Sequence, residues 1–124
     1  MRYLGIDYGE KRIGLALSDP EGRIAMPYKT VGDLAEVTAA IKKEAVEHIV
    51  VGLPISFGGA KSRQAEEVEA FVGELKKTVQ LPISLEDERF TSKIAERHTP
   101  KEKADASAAA LILQSYLDKQ DPNP

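Results

Sequence analysis

The sequence predicts an α/β fold: a mixed five-stranded sheet flanked by helices, in the order βββαβαβα. Three observations predict it. The chain opens with three short β-type segments joined by tight turns; two amphipathic segments of helical period follow, each leading into a short apolar segment; and a well-marked helix closes the chain.

The first two strands, over 2–8 and 12–18, flank a polar turn, Tyr8-Gly9-Glu10-Lys11, and the first ends in a carboxylate, Asp7. Asp favours turns by bonding its own backbone, so Asp7 reads equally as a turn residue or as an acid presented at a sheet edge. A second turn, Asp19-Pro20-Glu21-Gly22, leads to a third strand over about 23–30, and Asp19 reads as an ordinary turn residue. Short connections make these three an antiparallel meander.

Asp33 followed by Glu36 is a capping-box arrangement, and Leu34, Val37, Ile41 and Ala45 recur at helical spacing, which predicts a helix over about 34–47. His48-Ile49-Val50-Val51-Gly52-Leu53 is a continuously apolar strand of the kind buried on both faces, with His48 a strand-end residue rather than a ligand. A loop over 54–61 precedes a helix from about 62, with Ala65, Val68, Val72, Leu75 and Val79 on one face. A fifth strand over 81–86 runs into Asp87-Glu88-Arg89, and Thr91 caps a short helix through about 97. Thr99-Pro100-Lys101-Glu102 combines an N-cap, a first-turn proline and a capping-box Glu ahead of a helix through Leu117. Strand–helix–strand units after the meander require right-handed parallel crossovers, which open a crevice at the carboxyl ends of the parallel strands.

At 124 residues the chain is one domain, expected over 1–118 with a C-terminal tail over 119–124. Hydrophobic residues make up 42% and charged residues 30%, a soluble globular balance with no run long enough to span a membrane. The absence of cysteine excludes disulfides and thiolate metal sites and fits a reducing cytoplasm. A net charge of −3 argues against binding nucleic acid by bulk attraction, while leaving room for a local basic patch. With two histidines in the chain, its chemistry is expected to rest on carboxylates.

The acids gather at one end of the predicted sheet. Asp7 ends strand one, Asp87 and Glu88 end strand five, and Gly52-Leu53-Pro54 occupies the same end of strand four. Asp105 falls on the Ala108, Ala109, Ile112 and Tyr116 face of the last helix, in its second turn. A carboxylate at the border of a buried face needs a partner, which a salt bridge or a metal ion would supply. Acids from distant segments at one sheet edge suit a hard cation such as Mg²⁺ or Mn²⁺, and two such ions would serve phosphodiester cleavage. Alternation sends Asp87 and Glu88 to opposite faces, so one of the pair is expected to face the site. The sequence leaves open which of the two is the ligand; with Glu88 taken as that one, the expected metal ligands are Asp7, Glu88 and Asp105. Lys11, Arg12, Lys61, Arg63 and Arg89, beside the crevice, would meet a polyanion.

Four blocks carry a family resemblance: Gly5-Ile6-Asp7-Tyr8-Gly9 with Lys11 to Asp19; Ile49-Val50-Val51-Gly52-Leu53-Pro54 with Gly59; Asp87-Glu88-Arg89-Phe90-Thr91-Ser92; and Asp105 to Leu117. In that order they resemble the YqgF (RuvX) family, nucleases of the RNase H-like superfamily, over nearly the whole chain. The resemblance implies an RNase H-like fold, metal-dependent cleavage of nucleic acid and a cytoplasmic location. It also implies an acidic site of Asp7, Asp87, Glu88 and Asp105. The substrate implied is the 5′ end of precursor 16S rRNA, or alternatively branched DNA, a four-way junction, for a protein acting as monomer or homodimer. A noncatalytic nucleic-acid-binding assembly factor and a nucleotide-phosphate binder are the competing classes. The chain departs from resolvases in having Gly52-Leu53-Pro54 where they carry an acid after the fourth strand. Its basic stretch between Ser92 and Asp105 is also shorter than in many relatives.

Overall fold

A computed structural model describes residues 1–54, 63–87 and 101–120, with residues 101–105 described by their backbone. The strands are β1 (Tyr3–Tyr8), β2 (Ile13–Ser18), β3 (Ala25–Val31), β4 (His48–Leu53) and β5 (Ile83–Asp87); the helices are α1 (Leu34–Lys43), α2 (Arg63–Thr78) and α3 (Lys101–Gln120). The order is the expected βββαβαβα. The strands form one sheet in the order β3-β2-β1-β4-β5. β1, β2 and β3 pair antiparallel, and β1–β4 and β4–β5 pair parallel, as the helical crossovers require. The expected loop before α2, the short helix over 91–97 and the caps at Thr99 and Pro100 lie outside the described residues.

Each turn is fixed by local chemistry. The Asp19 carboxylate accepts from the Arg23 and Ile24 N–H groups at 2.7 and 2.9 Å, and these bonds, Ile24's foremost, hold its carboxyl below the usual carboxylate range. Asp19 is thus the turn residue expected of it. Pro27 is tolerated in β3 because that strand is an edge of the sheet. At the start of α1, Asp33 accepts from the Glu36 N–H at 2.9 Å while the Glu36 carboxylate reaches back to the Gly32 N–H, the expected box with its return bond one residue earlier.

Two helices end where periodicity does not place them. α1 stops at Lys43, four residues short of expectation. Ala45 takes a left-handed φ of 54°, and the Val46 N–H bonds the Ile41 carbonyl at 3.1 Å, closing the helix as a Schellman turn. α3 instead runs on to Gln120, into the segment expected to be tail. Lys119 near its end reaches the buried Glu86 carboxylate at 2.8 Å, which ties the last turn to β5.

The sheet divides two unlike cores. One face sets Leu4, Ile6, Leu15, Ile49 and Val51 against Val37 and Ile41 of α1 and Val68 and Leu75 of α2. The other sets Ala16 and Val50 against Ala109, Ile112 and Leu113 of α3. Small residues bring α3 close: a Cβ on Gly5 would lie 2.7 Å from the Leu113 Cβ and 2.8 Å from the Ala109 carbonyl oxygen. Backbone and a fully buried leucine leave nothing flexible to yield. Gly5→Ala is therefore expected to cost about 1–3 kcal/mol of unfolding free energy by urea titration. A loss within about 0.5 kcal/mol, the range of ordinary surface changes, would show that α3 can ride up without penalty.

At the amino ends of the strands, His48 is partly buried between the rings of Tyr3 and Tyr116, at 5.0 and 5.6 Å between centroids, with Nε2 2.9 Å from Ser84 Oγ. It is the strand-end residue expected, and burial lowers its pKa below the ordinary histidine value of 6.5. The folded state resists protonation more than the unfolded chain does. This contribution is therefore complete above pH 6.5 and is lost as pH falls from there through the folded value. Urea midpoints should fall between pH 7.5 and 5.5, and fall less in His48→Gln; an identical fall in both proteins would contradict the account.

Candidate active site at the carboxyl edge of the sheet

Asp7 stands at the carboxyl end of the central strand, level with Gly14 of β2. Gly5 faces α3, so alternation turns Asp7 two residues later to the same side, where it is half-buried. The turn after it is tight: the Gly9 N–H donates to the Arg12 carbonyl at 3.0 Å, and a Cβ at Gly9 would lie 2.8 Å from that oxygen. Glycine there lets the chain reverse at once, which sets Lys11 and Arg12 at the rim within five residues of Asp7.

The last helix supplies the matching position. Ala109 and Leu113 cross over Gly5, and their stripe of Ala108, Ala109 and Ile112 is at most 3% exposed, as the sequence spacing predicts. One turn before Ala109 the α3 backbone carries Asp105, so the acid-bearing turn of α3 and the end of β1 share one end of the sheet. The Asp105 side chain, Glu88, Arg89 and Lys61 lie outside the described residues.

β5 separates its acids by face. Asp87, paired in register with Leu53, is exposed on the α1 and α2 side, away from Asp7. Glu86 before it lies on the α3 side, in register with Gly52, which continues the row of Asp7 across β4. Its side chain is 6% exposed and accepts from Ser115 Oγ at 2.7 Å and Lys119 Nζ at 2.8 Å. The sequence reading counted Glu86 only as the end of a strand. Its position two residues after Ser84 on the α3 face was the available signal, but Lys119, thirty-three residues away, could not be matched to it locally.

Three of the proposed cations meet around one groove of about 450 Å³, where Lys11 and Arg12 of the turn face Arg63, Gln64 and Glu67 at the start of α2, with Tyr8 between them. Arg63 pairs with Glu67 at 3.4 Å, and with the arginine side chain 88% exposed this pair is weak and easily exchanged. The groove opens on the face of β1 opposite Asp7. Sequence reasoning passed over Tyr8, which lines it. Among the described residues no group of three or more carboxylates and histidines is placed to hold a metal ion. No helix among them is long and apolar enough to cross a membrane.

Comparison with known proteins places this geometry. RuvC of Thermus thermophilus bound to a Holliday junction substrate superposes with a TM-score of 0.60 at 17% identity, over 97% of this chain and 95% of that one, which shows an RNase H-like fold. A protein of Chloroflexus aurantiacus named "Putative pre-16S rRNA nuclease" is 36% identical over 98% of this chain and 89% of its own length. Another of that name, from Anaplasma marginale, is 41% identical over 94% of this chain and 84% of its own. The family profile described as "RuvX: Holliday junction resolvase" matches residues 1–119. With its acid at the end of the central strand and its RNase H-like sheet, the chain belongs to the RuvX family of nucleases.

Proposed function

We propose that the protein is a divalent-metal-dependent endonuclease of the cytoplasm that hydrolyses phosphodiester bonds in structured RNA, its target being the 5′ end of precursor 16S rRNA. What supports this reading most is the packing of Gly5 on Ala109 and Leu113, which sets Asp7, two residues on, and the α3 turn whose backbone carries Asp105 at one end of the sheet. The names of the full-length relatives support the choice of RNA. The donor set is chemically apt: carboxylates, with no cysteine in the chain, match Mg²⁺ or Mn²⁺ rather than a thiophilic metal. Asp7, Asp105 and an acid after β5 would hold the ions. Asp87 faces away from Asp7, so Glu88 takes that role in this reading.

Two such ions, when bound, supply activation of an attacking water and charge for the leaving oxygen. The chain's own contribution is placement. Asp7 sits on the central strand, in register with Gly14 of β2 and one residue beyond Ile6, which pairs with Val51 of β4, and this pairing fixes its height. The close contact at Gly5 fixes α3 against that strand, so two ligands are set by rigid elements rather than by loops. Lys11, Arg12 and Arg63 at the rim, with Lys61 and Arg89, would hold backbone phosphates and orient the scissile bond.

A second reading, cleavage of four-way DNA junctions, is favoured by the family description and by the likeness to RuvC. One assay decides between them. Under single-turnover conditions with Mg²⁺ or Mn²⁺, the parent chain should cut precursor 16S RNA faster than a four-way DNA junction, and EDTA should abolish cutting. Asp7→Asn should slow the reaction by at least about 100-fold, since groups merely supporting a metal ligand already contribute about 10–100-fold. Cleavage by Asp7→Asn at the parent rate would refute the site; faster cutting of the junction would transfer the function to DNA.

A further inference from the structure

We propose that the groove beside the β1–β2 turn is a nucleotide subsite in which Tyr8 stacks on an unpaired base while Lys11, Arg12 and Arg63 hold the neighbouring phosphates. The substrate is then cut beside a single-stranded stretch, a consequence that rests on the nuclease reading of Asp7.

The geometry begins with two consecutive residues. Asp7 and Tyr8 end the same strand on opposite faces, so a polynucleotide crossing the end of β1 meets the acid on one side and the ring on the other. The Tyr8 ring is already set in place. It packs on Phe71 of α2 with centroids 4.6 Å apart and planes at 30°, and Phe71 is itself 7% exposed and part of the core. A half-exposed aromatic ring backed by a core residue loses little freedom when a base stacks on it.

Charge then orients the nucleotide. The groove continues past Tyr8 into a second hollow of about 440 Å³, floored by Leu34, Ala70 and Phe71. Glu10, Asp33, Glu67 and Glu74 line that hollow, and among the described residues no cation does. The turn side therefore holds all three cations, with Glu10 and Glu67 shared between the two hollows, while the inner side adds Asp33, Glu74 and an apolar floor. A phosphate is attracted to the first and repelled by the second. A nucleobase carries no charge, stacks on Tyr8, and can donate its amino hydrogens to the carboxylates. The phosphates stay at Lys11, Arg12 and Arg63 while the base points toward Phe71. A base paired inside a duplex cannot make that excursion, so the subsite selects single-stranded or splayed-out nucleotides.

The chain contains no tryptophan, so Tyr8→Trp introduces a single indole that reports stacking by fluorescence quenching. In the Asp7→Asn background the probe survives, and Asp7 lies on the other face, so binding is read apart from cleavage. A short single-stranded RNA should quench the indole and a blunt RNA duplex of the same sequence should not. No quenching by either, or equal quenching by both, overturns the subsite. Independently of that variant, anisotropy of the labelled single strand should show about 5- to 150-fold weaker binding to Tyr8→Leu, checked for its fold by circular dichroism. Lys11→Glu, at the exposed turn, should also bind the strand more weakly than the parent. Parent-like affinity in both variants overturns the proposal. Quenching together with undiminished cutting by Asp7→Asn would leave the subsite standing and remove the assignment of the active site to Asp7 instead.

Discussion

The contact between β1 at Gly5 and the Ala109–Leu113 stretch of α3 sets the geometry of everything else at the active edge. Backbone and small side chains meet there without room for one more carbon. That closeness makes the two cores different in kind. The α1 and α2 face is filled by large aliphatic residues, and deleting one would leave a cavity. The α3 face depends on small residues, and enlarging one would push the helix away. A helix held at backbone distance also cannot rotate or slide without collision. The turn bearing Asp105 is therefore fixed relative to the strand bearing Asp7 by packing one helical turn away, at Ala109.

Placing the acid on the central strand has a second consequence. β1 is paired antiparallel with β2 through Tyr8 and parallel with β4 through Ile6, so its carboxyl end continues a strand held on both sides. Strand alternation then assigns successive residues to opposite faces. Asp7 goes to the α3 side with Glu86, and Tyr8 goes to the α2 side with Phe71. Chemistry and substrate contact can thus be divided between the two faces while sharing one rigid strand end. The Gly9 turn brings Lys11 and Arg12 to that end, because the chain reverses before it can extend further.

What the sequence made legible were features with a short period or a local chemical cause. The five strands and their order followed from apolar runs between turn residues, and the cap at Asp33 from its spacing to Glu36. The α3 stripe followed from alanines and large aliphatics at helical intervals. Illegible features had partners far away or broke a local preference. α1 ends early because Ala45 accepts a left-handed conformation that sequence would assign to Gly or Asn. α3 runs long because Lys119 pairs with Glu86 across the fold. Glu86 itself, an acid inside a strand pattern, looks like a surface residue until Ser115 and Lys119 are seen around it. Lys11, Arg12 and Arg63 were expected beside one crevice and do share a groove, whereas Tyr8, which lines it with them, was not singled out. An aromatic residue at a strand end signals core as readily as contact, and only the groove around it separates the two.

The net charge of −3 and the presence of cations at the rim look contradictory for a protein acting on a polyanion, but they operate at different ranges. At physiological ionic strength the Debye length is about 8 Å, so the overall deficit is screened over most of the molecule while groups lining one groove are not. Lys11, Arg12 and Arg63 act within that range, and the carboxylates of the adjoining hollow act within it too. Affinity then cannot come from accumulated phosphate contacts along a basic surface. In the proposed reading it comes from a few phosphates held at one turn and from stacking. With the proposed subsite, such a protein selects its substrate by local structure, the availability of an unpaired nucleotide beside the scissile bond, rather than by length of duplex. In the proposed subsite the asymmetry of charge across Tyr8 is the physical form of that selection: Lys11, Arg12 and Arg63 outnumber the shared Glu10 and Glu67 on the turn side, and Asp33 and Glu74 are added on the inner side.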